Sequence, residues 1–245
     1  MLRRIFVQLG VSAAFTAPGL FAQRRQTSDI PLVDQVPPML DHILLGCSDL
    51  EKGIAFVAQH TGVRAAFGGI HPGRGTQNAL LSLGLSHYLE IIAPDPEQPS
   101  SEDRRAKTLR KLSEPKLVGW AAHLRGGIAP YAAKLKQSGI AAAGPVSGSR
   151  RCPDGKTLQW ETLTLEDDAS GLLPFFIQWA ASSVHPSEDA PSGCQLLRFE
   201  LLTPDPAALS ALATKLSLAA PIIKAAAPQL RATIKGLTGT LSLNS

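Results

Sequence analysis

The residues best suited to chemistry in this 245-residue chain are a histidine and a glutamate within apolar strand patterns. His42 alternates with Leu40 and Leu44, and Glu90 follows Tyr88 at the same spacing, so each polar side chain is predicted to share a sheet face with apolar ones. A carboxylate in that setting is costly unless a cation, a hydrogen bond or a metal meets it. Two interpretations stay open: a pair that serves a reaction, or a hydrogen-bonded core histidine and a glutamate that pairs with an arginine.

Four other side chains could contact a ligand. His71 lies in a glycine-rich loop at residues 68–75, where glycines allow a ligand to approach the backbone closely, although a solvated loop histidine is an equal alternative. Asn78 could bind substrate or fix a strand entrance. Arg150 precedes a Pro-Asp-Gly turn and suits a carboxylate or phosphate, or is an exposed turn charge. Trp120 could form the floor of a pocket.

Charge and motifs exclude several classes of protein. The formal net charge of +4 equals the contribution of Arg3, Arg4, Arg24 and Arg25, so the chain from residue 26 onward carries 20 basic and 20 acidic residues. A nucleic-acid-binding function therefore loses its electrostatic support. The sequence also lacks a P-loop, a GxGxxG turn, a GxSxG elbow and an HExxH motif.

The first 22 residues resemble a leader. Arg3 and Arg4 precede 18 uncharged residues, which is typical of a secretory signal peptide, and the paired arginines resemble a twin-arginine export signal. Export to the periplasm or the medium is therefore predicted, and retention as an N-terminal anchor, which would contact the membrane, is the alternative. Residues 23–38 are polar, contain prolines and are predicted to be a linker.

The three cysteines say little about the compartment. Cys47 follows an apolar strand and is predicted to be a small buried hydrophobe. Cys152 and Cys194 could form a disulfide in an oxidising compartment, and the sequence leaves that pairing open.

The pattern of elements predicts an α+β fold built from repeated βαβββ modules. Strand, helix and three strands follow one another at 39–94 and again at 117–181, and a third, weaker module occupies 194–245. Two such modules side by side would form a cup-shaped mixed sheet with the helices outside. The segment between the first two modules is predicted to be a linker.

Several segments resemble a known family. LDHILLG opens the first module and HYLEIIAPDP closes it, and this pair is similar to modules of the vicinal oxygen chelate superfamily. The loop GGIHPGRGTQNALLSLG, with SRRCPDGKTLQW and GLLPFFIQW later in the chain, resembles the glyoxalase-like branch of that superfamily. The resemblance covers residues 39–180 well and the remainder less securely.

The resemblance implies a divalent metal ion in the cup, with one ligand from the first strand and one from the last strand of each module. In the first module these positions fall on His42 and Glu90. In the second they fall on Trp120, which cannot bind a metal, and on Gln178, a weak oxygen donor. Half of the usual ligand set is therefore absent, and His71 and Gln178 are the residues that could assist.

The resemblance implies a metal-dependent lyase, isomerase or dioxygenase-type enzyme acting on a small oxygen-rich substrate, and the leader adds export. Glu90 and His71 would act in proton transfer, and Asn78, Trp120, Arg150 and Gln178 would bind substrate. The alternative is a non-catalytic protein that sequesters a small molecule in the same cup, which a tryptophan at a ligand position favours. The predicted partners are a small molecule and a second copy of the chain in a homodimer.

Overall fold

The computed structural model describes residues 35–84, 86–124, 126–152, 155–166, 168 and 170–245. The predicted leader and most of the predicted linker lie outside these residues. Within the described part of the chain, no helix is both long and apolar enough to cross a membrane.

Two βαβββ modules form one curled sheet of eight strands. The first contains β1 (Leu40–Gly46), α1 (Leu50–Thr61), β2 (Ala66–His71), β3 (Thr76–Ser82) and β4 (Tyr88–Pro94). The second contains β5 (Lys116–His123), α3 (Ile128–Gln137), β6 (Ala142–Arg151), β7 (Thr157–Leu165) and β8 (Phe175–Trp179), and a short helix α2 (Arg104–Arg110) lies between the modules. The strand order is β2-β3-β4-β1-β5-β8-β7-β6, which confirms the predicted α+β fold class.

Each module repeats the same pairing. The first strand runs parallel to the last, β1 with β4 and β5 with β8, and β1 meets β5 antiparallel at the centre of the sheet. Helix α1 begins at the predicted cap, where the Asp49 carboxylate accepts a hydrogen bond from Lys52 N at 2.9 Å. It ends at Gly62, whose φ of 76° is the left-handed conformation that glycine adopts without strain.

A β-bulge in β1 changes the predicted facing of the central strands. Leu40 pairs with Ala122 and His42 with Ala121, so Asp41 is an extra residue in the ladder. Leu40, predicted to share a face with His42, consequently lies in the hydrophobic core. Directly opposed residues of an antiparallel pair share a face, so His42 lies on the side of Ala121.

Trp120 and Gln178 are not in the cup, which corrects the prediction that they bind substrate there. Trp120 pairs with Ile43, on the face opposite His42, and is only 1% exposed. Its ring lies 5.3 Å from that of Phe199, and its Nε1 donates to Leu172 O at 2.8 Å. Gln178 accepts a hydrogen bond from Ile128 N at the start of α3. A one-residue difference in strand register moves a side chain to the other face of a sheet. The prediction placed Trp120 by counting back from the helix start of the second module and Gln178 by counting along its last strand, and such counts do not detect that difference.

The third module has the predicted element order but a different sheet. It contains β9 (Gln195–Thr203), α5 (Pro206–Lys215), β10 (Ile222–Lys224), β11 (Gln229–Lys235) and β12 (Thr240–Asn244), and a short helix α4 (Pro186–Asp189) precedes it. Its strand order is β10-β9-β11-β12, so the first strand does not pair with the last as it does in the other modules. Phe199 on β9 packs against Trp120, and the module therefore covers the outer face of the large sheet.

All three cysteines are free thiols. Cys47 is 2% exposed, as a small core residue would be, and burial raises the pKa of its thiol to about 12. The pairing of Cys152 with Cys194, which the sequence left open, is not formed.

Candidate active site

A cavity of about 290 Å³ lies in the concave face of the eight-stranded sheet. The wall from the first module is polar and carries His42, His71, Asn78 and Glu90. The wall from the second module is mainly apolar and aromatic, formed by Trp160, Phe175, Ile177 and Trp179. The cavity therefore combines groups that can move protons with a surface that can hold a carbon skeleton.

Glu90 is the centre of the polar wall. Its Oε1 accepts a hydrogen bond from Asn78 Nδ2 at 2.7 Å and lies 3.6 Å from His71 Nε2. Its Oε2 lies 3.5 Å from His42 Nε2. One buried carboxylate thus connects two imidazoles, which is a geometry suited to general acid–base chemistry.

Asp41 fixes the ring of His42. In the bulge, consecutive side chains of β1 lie close enough for Asp41 Oδ1 to contact His42 Nδ1 at 2.7 Å. Asp41 Oδ2 accepts from Trp179 Nε1 at 3.1 Å and lies 3.3 Å from His185 Nε2. The ring of His42 also stacks on Tyr88, with 4.4 Å between centroids. These contacts leave His42 Nε2 free to face Glu90 and the cavity.

The Asp41 carboxylate is 1% exposed but remains ionised. Burial opposes its ionisation, but hydrogen bonds with His185 and His42, and their charges, outweigh burial and hold the pKa of Asp41 well below its usual range. A buried carboxylate that orients an imidazole is a recurrent device in active sites.

Arg150 orients the Asn78 amide. An arginine can only donate, so the Asn78 atom that contacts Arg150 Nη1 is the oxygen, and the nitrogen faces the other way. That nitrogen lies 2.7 Å from Glu90 Oε1 and 3.3 Å from His71 Nε2. His71 Nε2 is then an acceptor, and its Nδ1–H donates to Thr76 Oγ1 at 2.9 Å. The network assigns a neutral tautomer of His71 with its basic nitrogen beside Glu90.

The charges of this network follow from its surroundings. Burial opposes ionisation of Glu90, but His71, His42, the Asn78 amide and Arg105 outweigh it, so the pKa of Glu90 lies below its usual value. Burial lowers the pKa of His71, as do the nearby arginines, against the attraction of Glu90. Near neutral pH the site therefore holds an ionised glutamate beside a neutral His71.

Two glycines of the predicted loop make room for Arg150. A Cβ on Gly68 would clash with the Arg150 guanidinium and with the Asn78 amide. A Cβ on Gly69 would lie 3.0 Å from Arg150 Cδ, and its φ of 139° is a conformation that side chains rarely adopt. Gly68 and Gly69 are on β2 and Arg150 is on β6, so the two edge strands of the curled sheet meet here.

The segment between the modules belongs to the site, although the sequence suggested only a linker. Helix α2 begins at Asp103, whose carboxylate accepts from the backbone nitrogens of Arg105 and Ala106 at 2.8 and 3.2 Å. Arg105 then reaches the cavity, with its guanidinium carbon 5.9 Å from the ring centroid of Phe175. Arg74, from the glycine-rich loop, also lines the cavity.

The described residues do not fit the four-ligand metal site of the superfamily. His42 and Glu90 face the cavity, but Ala121 is on the same face as His42 in the second module, and Ile177 lines the cavity where a ligand of β8 would stand. Among the residues with described positions, no group of three or more His, Cys, Asp or Glu side chains is arranged to hold a metal ion. Metal binding through His42 and Glu90 stays a prediction.

The fold and the cup define the class of protein. Paired βαβββ modules that close around one cavity are characteristic of the vicinal oxygen chelate superfamily, as the sequence motifs suggested. The glyoxalase-like domain family matches residues 40–217, and the chain belongs to that family. No curated protein matches the sequence.

Several solved structures are similar to this chain at low sequence identity. A hypothetical protein from Staphylococcus aureus is similar over 84% of each chain, with 15% identity and a TM-score of 0.56. Methylmalonyl-CoA epimerase from Mycobacterium tuberculosis matches 59% of this chain and 89% of its own, with 20% identity and a TM-score of 0.43. The Streptomyces coelicolor epimerase in complex with 2-nitronate-propionyl-CoA matches 61% and 99%, with 20% identity and a TM-score of 0.45.

The structure brings together five of the seven predicted site residues: His42, His71, Asn78, Glu90 and Arg150. Sequence reasoning missed Asp41, His185 and Arg105. Asp41 carried a usable signal, a second charged residue beside His42 in an apolar strand. His185 had none, because its contact with Asp41 joins residues 144 positions apart.

Proposed function

We propose that the protein is an enzyme that transfers a proton on a small, oxygen-rich substrate held in the cup. One observation carries the proposal: the buried Glu90 carboxylate has an imidazole nitrogen on each oxygen, His71 Nε2 at 3.6 Å and His42 Nε2 at 3.5 Å. A purely structural glutamate needs one partner, whereas this arrangement can accept a proton on one side and return one on the other.

The chemistry that suits this geometry is isomerisation or epimerisation next to a carbonyl. His71 Nε2 takes the proton from the substrate carbon, and the negative charge of Glu90 stabilises the imidazolium that forms. Glu90 then passes this proton to His42 Nε2, which can accept it because His42 Nδ1 faces the Asp41 carboxylate. His42 returns the proton to the substrate carbon from the other side of the carboxylate, so no atom is gained or lost overall and the starting state is restored. Asp41 keeps the His42 ring in place throughout.

The test that needs no known substrate is hydrogen exchange in heavy water. The candidate substrates are dicarbonyls, 2-oxo acids and hydroxyketones. We expect the wild-type protein to catalyse incorporation of solvent deuterium into at least one of these classes, at the carbon beside the carbonyl. Proton NMR would monitor the loss of the proton signal at that carbon. Each reaction is run after chelation and with added Mn²⁺, Zn²⁺ or Mg²⁺, and metal content is measured alongside. Exchange that survives chelation fits the acid–base scheme, whereas exchange that requires one bound ion, lost with His42→Ala, would support the predicted metal site instead.

A second function is favoured by the apolar wall. The rings of Trp160 on β7 and Trp179 on β8 lie 5.5 Å apart, tilted by 58°, and offer an aromatic surface to a ligand, as a sequestering protein would. Such a protein would bind its ligand without catalysing exchange. If no substrate class exchanged deuterium but one of them bound tightly, the result would support the sequestering function.

We also propose that the protein is exported. The support is the basic and then apolar composition of residues 1–22. In a bacterial host with a twin-arginine pathway, we expect the exported protein to lack the leader, which intact-mass measurement would show. Full-length protein in the cytoplasm would contradict this, and full-length protein in the membrane fraction would indicate the anchor.

A further inference from the structure

Arg150 is a buried cation with spare hydrogen-bonding capacity. It is 4% exposed and lines the cavity, yet within the described part of the chain its guanidinium makes one hydrogen bond, from Nη1 to Asn78 Oδ1. Among the described residues its buried Nε has no hydrogen-bond partner. An arginine has five donor hydrogens, and leaving a buried charge poorly compensated is costly, so this position is suited to an anion supplied from outside the chain.

The other charged residues that line the cavity also favour an anionic ligand. Arg74 and Arg105 line the cavity with Arg150, and within the described chain none of the three forms an ion pair within 4.0 Å. The carboxylates in the same lining are Glu90, which the histidines and Asn78 already surround, and Asp103, which caps α2. The guanidinium groups therefore face the cavity with an excess of positive charge.

We propose that the substrate carries an oxyanion, a carboxylate or a phosphate, that binds to Arg150 and Arg105 while its reacting carbon lies beside Glu90. Both anions match the planar fork of a guanidinium, and each can accept two hydrogen bonds from it. This inference rests on the proposed function for its claim that the cavity is an active site. It adds the substrate class and assigns part of the binding to the segment between the modules.

Binding of simple anions tests this without turnover. The probes are malonate, inorganic phosphate and the neutral analogue malonamide, measured by isothermal titration calorimetry at low ionic strength. We expect malonate or phosphate to bind and malonamide not to bind measurably. Arg105→Gln changes a residue of a short surface helix, and Arg150→Lys keeps the charge but loses the planar fork. Each is expected to weaken anion binding about 10- to 100-fold, the range for a charged hydrogen bond.

Arg151→Gln is the matched control, since Arg151 is the exposed neighbour of Arg150 on β6. It should bind the anions as the wild type does. Equal binding of malonamide and malonate, or an equal loss in Arg151→Gln, would overturn the proposal. Malonate alone would identify a carboxylate substrate, and phosphate alone a phosphorylated one.

The outcome is distinguishable from that of the proposed function. Anion binding that depends on Arg150 and Arg105, without deuterium exchange in any substrate class, would leave the anion site standing and remove the enzymatic function. If instead a neutral substrate exchanged deuterium at the same rate in the wild type and in both arginine variants, the enzymatic function would stand and the anion site would be removed.

Discussion

Glu90→Gln is expected to reduce catalysed deuterium exchange about 100- to 10,000-fold, the contribution of a positioned acid–base group. Glutamine is nearly isosteric and can still accept the 2.7 Å hydrogen bond from Asn78. It cannot stabilise a positive charge on His71 or carry a proton from His71 to His42. Without the attraction of Glu90, the pKa of His71 should fall further below its ordinary value. The measurement is the exchange rate under saturating substrate as a function of pH.

Glu90→Gln also distinguishes the loss of catalysed exchange from a loss of anion binding. Removing a negative charge beside the arginines should leave malonate affinity unchanged or increase it, because repulsion of the incoming anion disappears. Glu51→Gln is the control, since Glu51 forms an exposed ion pair with Arg64, and pairs of that kind contribute little. A Glu90→Gln protein that kept exchange within tenfold of the wild type would contradict the mechanism.

Asp41→Asn is expected to lower exchange by a similar factor through the orientation of His42. Asp41 offers one oxygen to His42 Nδ1 and the other to Trp179 and His185. An asparagine has one acceptor oxygen, and Trp179 Nε1 can only donate, so the amide nitrogen would face His42 Nδ1. That contact requires the proton to move to Nε2 and reverses the tautomer. Nitrogen NMR of the His42 ring would report the reversal directly.

Asp41→Asn should also change how stability depends on pH. Because the folded pKa of Asp41 is depressed, its contribution to the free energy of unfolding is complete above its ordinary value of 3.8 and is lost as the pH falls below it. The stability difference between wild type and variant should therefore shrink in acid, which chemical denaturation at several pH values would show. We expect a loss of about 1 to 3 kcal/mol at neutral pH.

Asp49→Asn is the matched control for Asp41→Asn. Asp49 caps α1, and asparagine is an equally good cap, so neither exchange nor stability should change appreciably. If Asp41→Asn destabilised the protein yet kept exchange and the wild-type tautomer, Asp41 would be a structural residue and not a positioning residue for His42.

Strand alternation predicted the cup and its polar wall correctly because the first module carries strong local signals. Glu90 lies in a continuous apolar run, and Gly62 and Asp49 mark the helix ends. The prediction for Trp120 was wrong because the two modules differ by one residue in the spacing between their first strand and their helix. His42 lies seven residues before the cap Asp49, but Ala121, which pairs with His42, lies six residues before the cap Gly127. Arg105 was missed because its role depends on where a connecting segment folds back, which local periodicity does not encode.

The unequal walls of the cavity assign two tasks to different modules. Proton-carrying groups come from β1, β4 and the end of β2, whereas the surface around the carbon skeleton comes largely from β7 and β8. On β8, Trp179 donates a hydrogen bond to Asp41 and the ring of Phe175 lies 5.6 Å from that of His42, so mutations there would also disturb the reacting groups. On β7, by contrast, Trp160, Thr162 and Thr164 line the cavity away from those groups. Variant libraries aimed at new substrate specificities therefore belong on β7, where the accepted skeleton can change while the chemistry stays constant.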